Sequence, residues 1–233
     1  MSRARDEGER RLRLDLIYYF CRVNVGMTSA HNEMELVLMS DFLLQSPLHG
    51  AMIECGSYKG ASACKLSHVA RVTGRKLFVC DSFQGLPEPG DQDRAHHSYF
   101  GDEFTYIQGQ YSASLEEVKN NLAAFGVPEA CEFVPGFFSD TLPTLATGDL
   151  SFVFMDVDYI SSARDCLQYL WPRLMPGGMF YTHEADVREF VYGITDSAWW
   201  HDVHGQCPPV LIGAGYGCGE DAGHLGFFEK RTS

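Results

Sequence analysis

The chain lacks any apolar run near the roughly 20 residues that a helical membrane span requires, which excludes a helix-anchored membrane protein. Positive charge is scarce: 18 Lys and Arg stand against 31 Asp and Glu, a net charge of −13. No basic cluster offsets that deficit, so nucleic acid is excluded as substrate and a small molecule is expected. None of the eight cysteines (21, 55, 64, 80, 131, 166, 207, 218) forms a Cys-x-x-Cys pair, which argues against a zinc or disulfide framework and for buried free thiols. There is no Gly-x-Gly-x-x-Gly fingerprint, no internal repeat and no low-complexity segment. The charged N-terminal residues lack the apolar stretch of a secretory signal, which points to the cytoplasm.

What is present fits one α/β domain spanning residues 1–233, 45% hydrophobic and 21% charged. Helical spacing over residues 12–23 and 29–44 predicts a helical cap within residues 1–48, the second helix capped by a hydroxyl of Thr28 or Ser29. Short apolar runs predict strands at 51–55, 76–80, 131–134, 151–155, 179–182, 209–212 and 225–229, with Pro176-Gly-Gly178 as a turn before the fifth. Helices are predicted between them at 61–72, 114–125, 161–174 and 187–199. Residues 84–112, rich in Pro, Gly, His and aromatics, read as a functional loop or lid that shapes an acceptor pocket.

Carboxylates close four of these strands: Glu54, Asp81, Asp156 and Glu184. In an open parallel sheet the strand ends share one edge, where ligands bind. The turn after the first strand carries Gly56 and Gly60, suited to close backbone approach by a ligand. Asp81, 25 residues beyond Gly56, is placed to accept hydrogen bonds from ribose hydroxyls. An adenosine without a pyrophosphate cradle favours S-adenosylmethionine over a nicotinamide dinucleotide.

The run Met52-Ile-Glu-Cys-Gly-Ser-Tyr-Lys-Gly-Ala-Ser62 resembles the first motif of class I methyltransferases, closely that of catechol O-methyltransferase. Asp81-Ser-Phe-Gln-Gly-Leu-Pro-Glu-Pro89, Gly109-Gln-Tyr-Ser112, Phe133-Val-Pro-Gly-Phe-Phe-Ser-Asp-Thr-Leu-Pro143 and Asp156-Val-Asp-Tyr159 resemble the macrocin O-methyltransferase (TylF-like) family. The resemblance implies a Rossmann-like fold, with a mostly parallel seven-stranded sheet, helices on both faces and extra N-terminal helices. It also implies methylation of a hydroxyl, on a sugar or polyol, of a natural product, and a homodimer or larger homo-oligomer.

By position, Glu54, Gly56, Tyr58, Gly60 and Ser62 would surround the methionine end of the cofactor, with Asp156 beside the methyl group. Asp81 would hold the ribose, and Ser82, Phe83, Ser139 and Asp140 the adenine. The family's magnesium would fall to Asp156, His183 and Glu184, and its general base to Asp158, with His97 an alternative. His183 departs from the family's carboxylate and leaves three readings: magnesium held by Asp156 and Glu184 with a water, an imidazole-tolerant ion such as manganese or iron, or no metal with His183 as base.

Other readings stay beside these. Asp140 could be a helix cap and Tyr58 turn packing. His31, His49, His68, His201, His204 and His224 read as surface or satisfied core histidines, and Trp199, Trp200 and Tyr192 as core or subunit contact. A non-catalytic S-adenosylmethionine-binding protein and a nicotinamide oxidoreductase are the competing classes, and a phenol or amine the competing acceptor.

Overall fold

Two helices open the chain in the computed structural model, which describes residues 6–93, 97–99, 102–104, 106–213 and 223–231. Helix α1 (Glu7–Gly26) is capped by Asp6, and α2 (Glu33–Gln45) by Asn32 in a capping box with Glu35. The expected start of α2 at residue 29 is corrected. The Ser29 hydroxyl donates to the His31 carbonyl, which holds this segment in a loop, and the cap is an amide.

Strand β1 (Ala51–Cys55), helix α3 (Ala61–Thr73) and strand β2 (Leu77–Asp81) form the first parallel unit. The excursion that follows contains a hairpin, β3 (His97–Tyr99) and β4 (Asp102–Phe104), where the sequence had shown only loop. Next come α4 (Leu115–Phe125), β5 (Cys131–Pro135), the short α5 (Phe138–Thr141), β6 (Leu150–Met155), α6 (Ile160–Leu170) and β7 (Leu174–Thr182). Helices α7 (Arg188–Ile194) and α8 (Ser197–His204) and strands β8 (Ile212–Gly213) and β9 (Gly226–Glu229) complete the order.

Several boundaries differ from expectation for local reasons. Pro176-Gly-Gly178 lies inside β7, because Gly177 donates to the Lys230 carbonyl and Gly178 accepts from the Lys230 amide, so the run is paired rather than turned. The helix expected over 187–199 is two helices. The Asp196 carboxylate accepts from the Ala198 and Trp199 amides and starts a second one. Helix α6 stops at Leu170, and a 3₁₀ turn carrying Pro172 leads directly into β7. The strand expected over 209–212 shrinks to two residues.

The seven-stranded sheet has the order β5-β2-β1-β6-β7-β9-β8, parallel from β5 to β7, with β9 and β8 antiparallel. Alternation along β1 sends Met52 toward a core shared with Phe20, Met39 and Leu66 of α1, α2 and α3. Ile53 and Cys55 face the opposite core, formed with Leu167, Phe180 and Trp200. β6 is buried along its whole length, as expected of a strand covered on both faces. Strand order reverses between β1 and β6, so a crevice opens beyond their C-terminal ends. Among the described residues, no helix is long and apolar enough to cross a membrane. Cysteines 55, 64, 80, 131 and 166 are buried free thiols, Cys21 and Cys207 are exposed, and Cys218 lies outside the described residues.

Candidate functional site

At the C-terminal ends of β1 and β6 lies a cleft of about 880 Å³. Its first wall is the turn after β1. Gly56 takes φ of 85°, and a Cβ there would overlap the Asp156 carbonyl, so only glycine lets the ends of β1 and β6 approach this closely. The Asp81 carboxylate organises this turn: Oδ2 accepts from the Ser57 amide (2.7 Å), the Ser57 hydroxyl (3.1 Å) and the Tyr58 amide (3.2 Å), and Oδ1 from the Phe83 amide (2.7 Å). Asp81 thus lines the cleft while fixing the backbone on both sides of it.

Of the expected cofactor residues, Gly56, Tyr58, Asp81, Ser82, Ser139 and Asp156 line the cleft. Gly60 and Ser62 stand behind it at the start of α3. Phe83 is buried against Phe133, Ala113 and Val118. Asp140 sits within α5 instead of capping it. Glu54 is fully buried on the α1–α3 face with neither carboxyl oxygen hydrogen-bonded, and burial pushes its carboxyl up to about 8.

The opposite wall comes from the long excursion and the end of β6. Leu86 pairs with Gly109 and Gln110 through two backbone bonds of 2.9 Å (Leu86 N–H to Gln110 O, Gly109 N–H to Leu86 O), which close the excursion at its base. Asp93 anchors its tip, accepting from the Ser161 amide and hydroxyl at the start of α6. Leu86, Pro87, Glu88, Tyr106 and Tyr111 face the cleft from it. The backbone of His97 lies in β3, and its side chain is outside the described part of the structure. Tyr58, Tyr111 and Asp158, all cleft residues, hold positive φ of 47°, 57° and 60°, a strained conformation that side chains keep only where surroundings impose it.

Asp156, Asp158, His183 and Glu184 meet at the far end of the cleft, but not as expected. Glu184 is held by its own hydrogen bonds: Oε1 accepts from the Val157 (2.7 Å) and Asp158 (3.0 Å) amides, and Oε2 from the Thr182 hydroxyl. Burial and the neighbouring Asp156 push its carboxyl up to about 7. The third member of the group around Asp156 is His31, which the sequence reading had set aside as a surface or satisfied core histidine. His31 Nε2 lies 3.0 Å from Asp156 Oδ2, and His183 Nδ1 lies 3.6 Å from Asp156 Oδ1. Nε2 of His183 is 3.3 Å from Glu35 Oε1. Burial opposes charge on His183, yet Asp156 and Glu35 outweigh it and hold the imidazolium well above the usual histidine range. Burial would likewise raise Asp156, but the two histidines keep it far below the usual carboxylate range. Asp158, half-buried and next to Asp156 and Glu184, is raised well above that range by desolvation and by those two carboxylates.

Two curated O-methyltransferases are similar to this chain. The 8-demethyl-8-(2,3-dimethoxy-alpha-L-rhamnosyl)-tetracenomycin-C 4'-O-methyltransferase of Streptomyces olivaceus is 34% identical over 146 residues, covering 58% of this chain and 53% of that protein. Demethyldecarbamoylnovobiocin O-methyltransferase of Streptomyces niveus is 33% identical over 136 residues, covering 55% and 50%. The chain spans about half the length of these curated relatives. The solved structure of the O-methyltransferase NovP superposes with a TM-score of 0.66 at 23% identity, covering 88% of this chain and 84% of that one, a likeness of fold. The Macrocin-O-methyltransferase (TylF) family matches residues 4–194, and the chain belongs to that family.

Proposed function

We propose that the chain is an S-adenosylmethionine-dependent O-methyltransferase acting on a hydroxyl, of a sugar or polyol, of a small-molecule natural product, with Asp158 as general base. The observation that carries this reading is the one cleft that joins the Gly56–Asp81 turn to Asp158. The methionine end of the cofactor lies against Gly56 and Tyr58, its ribose at Asp81, and its adenine beside Ser82 and Ser139. The relatives lend the acceptor class: by name they methylate a rhamnosyl-tetracenomycin and a novobiocin precursor.

In the transfer, the acceptor oxygen attacks the methyl carbon, the carbon–sulfur bond breaks, and the hydroxyl proton passes to Asp158. Alignment of oxygen, carbon and sulfur supplies much of the acceleration, and the walls that set it are the Asp81-held turn and residues 84–112. Asp158 lines the cleft as a carboxylate able to take that proton, and the hydrogen bond from its backbone amide to Glu184 holds it in place. His183 serves poorly as base, because an imidazolium held between two carboxylates accepts no proton.

The magnesium expected at Asp156 does not fit the residues gathered there. That ion prefers oxygen donors, whereas two of the three donors around Asp156 are imidazole nitrogens and Glu184 is committed to backbone amides. No step of the transfer is routed through it. A homodimer belongs to the proposal, supported by the exposed Leu14, Tyr18, Val25, Met34 and Leu38 on α1 and α2. Light scattering tests it, and a monomer across the assay range refutes it.

The function itself is tested by an acceptor screen of glycosides, polyols, phenols and amines read as S-adenosylhomocysteine release. Calorimetry with S-adenosylmethionine, S-adenosylhomocysteine and NAD goes beside it. Binding of NAD alone sinks the reading, and release confined to amines removes the hydroxyl acceptor.

A further inference from the structure

The disagreement with magnesium carries its own information, because the donors at Asp156 suit another class of ion. The ligand atoms of His31, Asp156 and His183 all lie within 4.8 Å of one another, and the closest pair is 3.0 Å apart. An ion about 2.1 Å from each donor, in tetrahedral or octahedral geometry, sets neighbouring donors roughly 3.0–3.4 Å apart. The cluster is therefore near ligating distance without a large rearrangement. We propose that His31, Asp156 and His183 form a two-histidine, one-carboxylate site for a borderline divalent transition metal, of the manganese, iron, cobalt or zinc class, in preference to magnesium.

The supports behind the ligands are those of a built site. Glu35, buried in the capping box of α2, stands behind His183 at 3.3 Å from Nε2, the carboxylate–histidine arrangement that orients a metal-bound imidazole. The backbone of His31 is fixed from two sides: its carbonyl accepts from Lys65 Nζ (3.0 Å) and from the Ser29 hydroxyl (2.9 Å). Its ring packs edge-on against Phe154 and against His183. Ligation needs neutral imidazoles, so a bound cation takes the place of the proton that Asp156 and Glu35 otherwise hold on His183. This deepens the methyltransferase reading by naming the ion at the acceptor end of the cleft, but it stands on the donor atoms and does not require methyl transfer.

The test is metal binding. Full-length protein, stripped with chelator and titrated with Co²⁺, is expected to take up one equivalent with visible d–d absorption that a large excess of Mg²⁺ leaves in place. His31→Ala is expected to weaken Co²⁺ binding at least about tenfold and alter the spectrum, and Glu35→Gln to weaken it about 10- to 100-fold. Displacement of Co²⁺ by equimolar Mg²⁺ overturns the assignment, as does an unaltered Co²⁺ affinity and spectrum in His31→Ala. Far-UV circular dichroism of the same samples reports folding, and His31→Gln is measured beside the alanine variant. If both His31 variants lose their fold, the wild-type competition decides alone. Co²⁺ binding without any S-adenosylhomocysteine binding sinks the methyltransferase reading and leaves this one standing.

Discussion

Glu54 offers the sharpest physical test, because its charge state is linked to folding. Its carboxyl has no exposure and no hydrogen-bond partner, and burial pushes it from 4.5 to about 8. The folded chain therefore keeps this proton up to about pH 8, while the unfolded chain releases it near its ordinary 4.5. Between those values the native state binds more protons, so stability is fully present below about pH 4.5 and falls as pH rises toward 8. The span is 8 − 4.5 = 3.5 units, and at about 1.36 kcal/mol per unit the loss reaches ~5 kcal/mol. Against a typical total of about 5–15 kcal/mol that is a large share.

Glu54→Gln keeps the shape of the protonated acid and removes the titration. Both forms lack partners for the side chain, so at pH 5 their stabilities should agree within about 1 kcal/mol. At pH 7.5 the variant should be the more stable by ~4 kcal/mol. Urea denaturation without cofactor at pH 5, 6, 7 and 7.5, with equal m-values, measures the difference directly. Parallel stability curves for the two proteins across this range would refute the reasoning, since they would mean that Glu54 ionises in the folded chain as easily as in the unfolded one.

Three further outcomes are expected. Asp158→Asn should lower kcat about 10²- to 10⁴-fold and leave cofactor affinity unchanged by calorimetry; a drop below about tenfold removes Asp158 as base. Gly56→Ala, which combines a positive φ with overlap on the Asp156 carbonyl, should cost about 3 kcal/mol or more, and an unchanged urea midpoint would contradict the close approach of β1 and β6. Asp81→Ala strips the acceptor from three amides and a hydroxyl, each loss worth about 1–3 kcal/mol where buried, and should weaken S-adenosylhomocysteine binding at least about tenfold. Wild-type affinity in that variant would mean that the turn holds its shape without the carboxylate.

The parallel sheet was legible because four of its five strands are short apolar runs with a carboxylate at or near their ends, and burial on both faces demands such runs. The β3–β4 pair was not, since its strands are three residues long and carry no alternation to read. Pro176-Gly-Gly178 misled for a related reason: local turn chemistry there is overruled by pairing with Lys230, a partner distant in sequence. Glu184 was read as a carboxylate at the end of β7, and its hydrogen bonds could not be read with it. Its side chain satisfies the Val157 and Asp158 amides, which leave the end of β6 without a ladder, and that need is invisible from β7 alone. His31 was missed outright, because the residue it meets, Asp156, is 125 positions away.

One local signal did point toward His31. Lys65 sits amid the buried run of α3 and has no exposure, and a cation so placed must find acceptors nearby. It finds them in the loop before α2, donating to the Ser29 hydroxyl at 2.8 Å and to the His31 carbonyl at 3.0 Å, while burial lowers it to about 8. The consequence reaches beyond packing. α3 begins at Ala61, directly after the turn that walls the cleft, and within two turns of its start Lys65 grips the segment that carries His31 to Asp156. The N-terminal cap is therefore part of the site: α3, which starts at the turn walling the cleft, also holds the segment carrying His31 through the buried Lys65 ammonium, beside the apolar core that α1, α2 and α3 share.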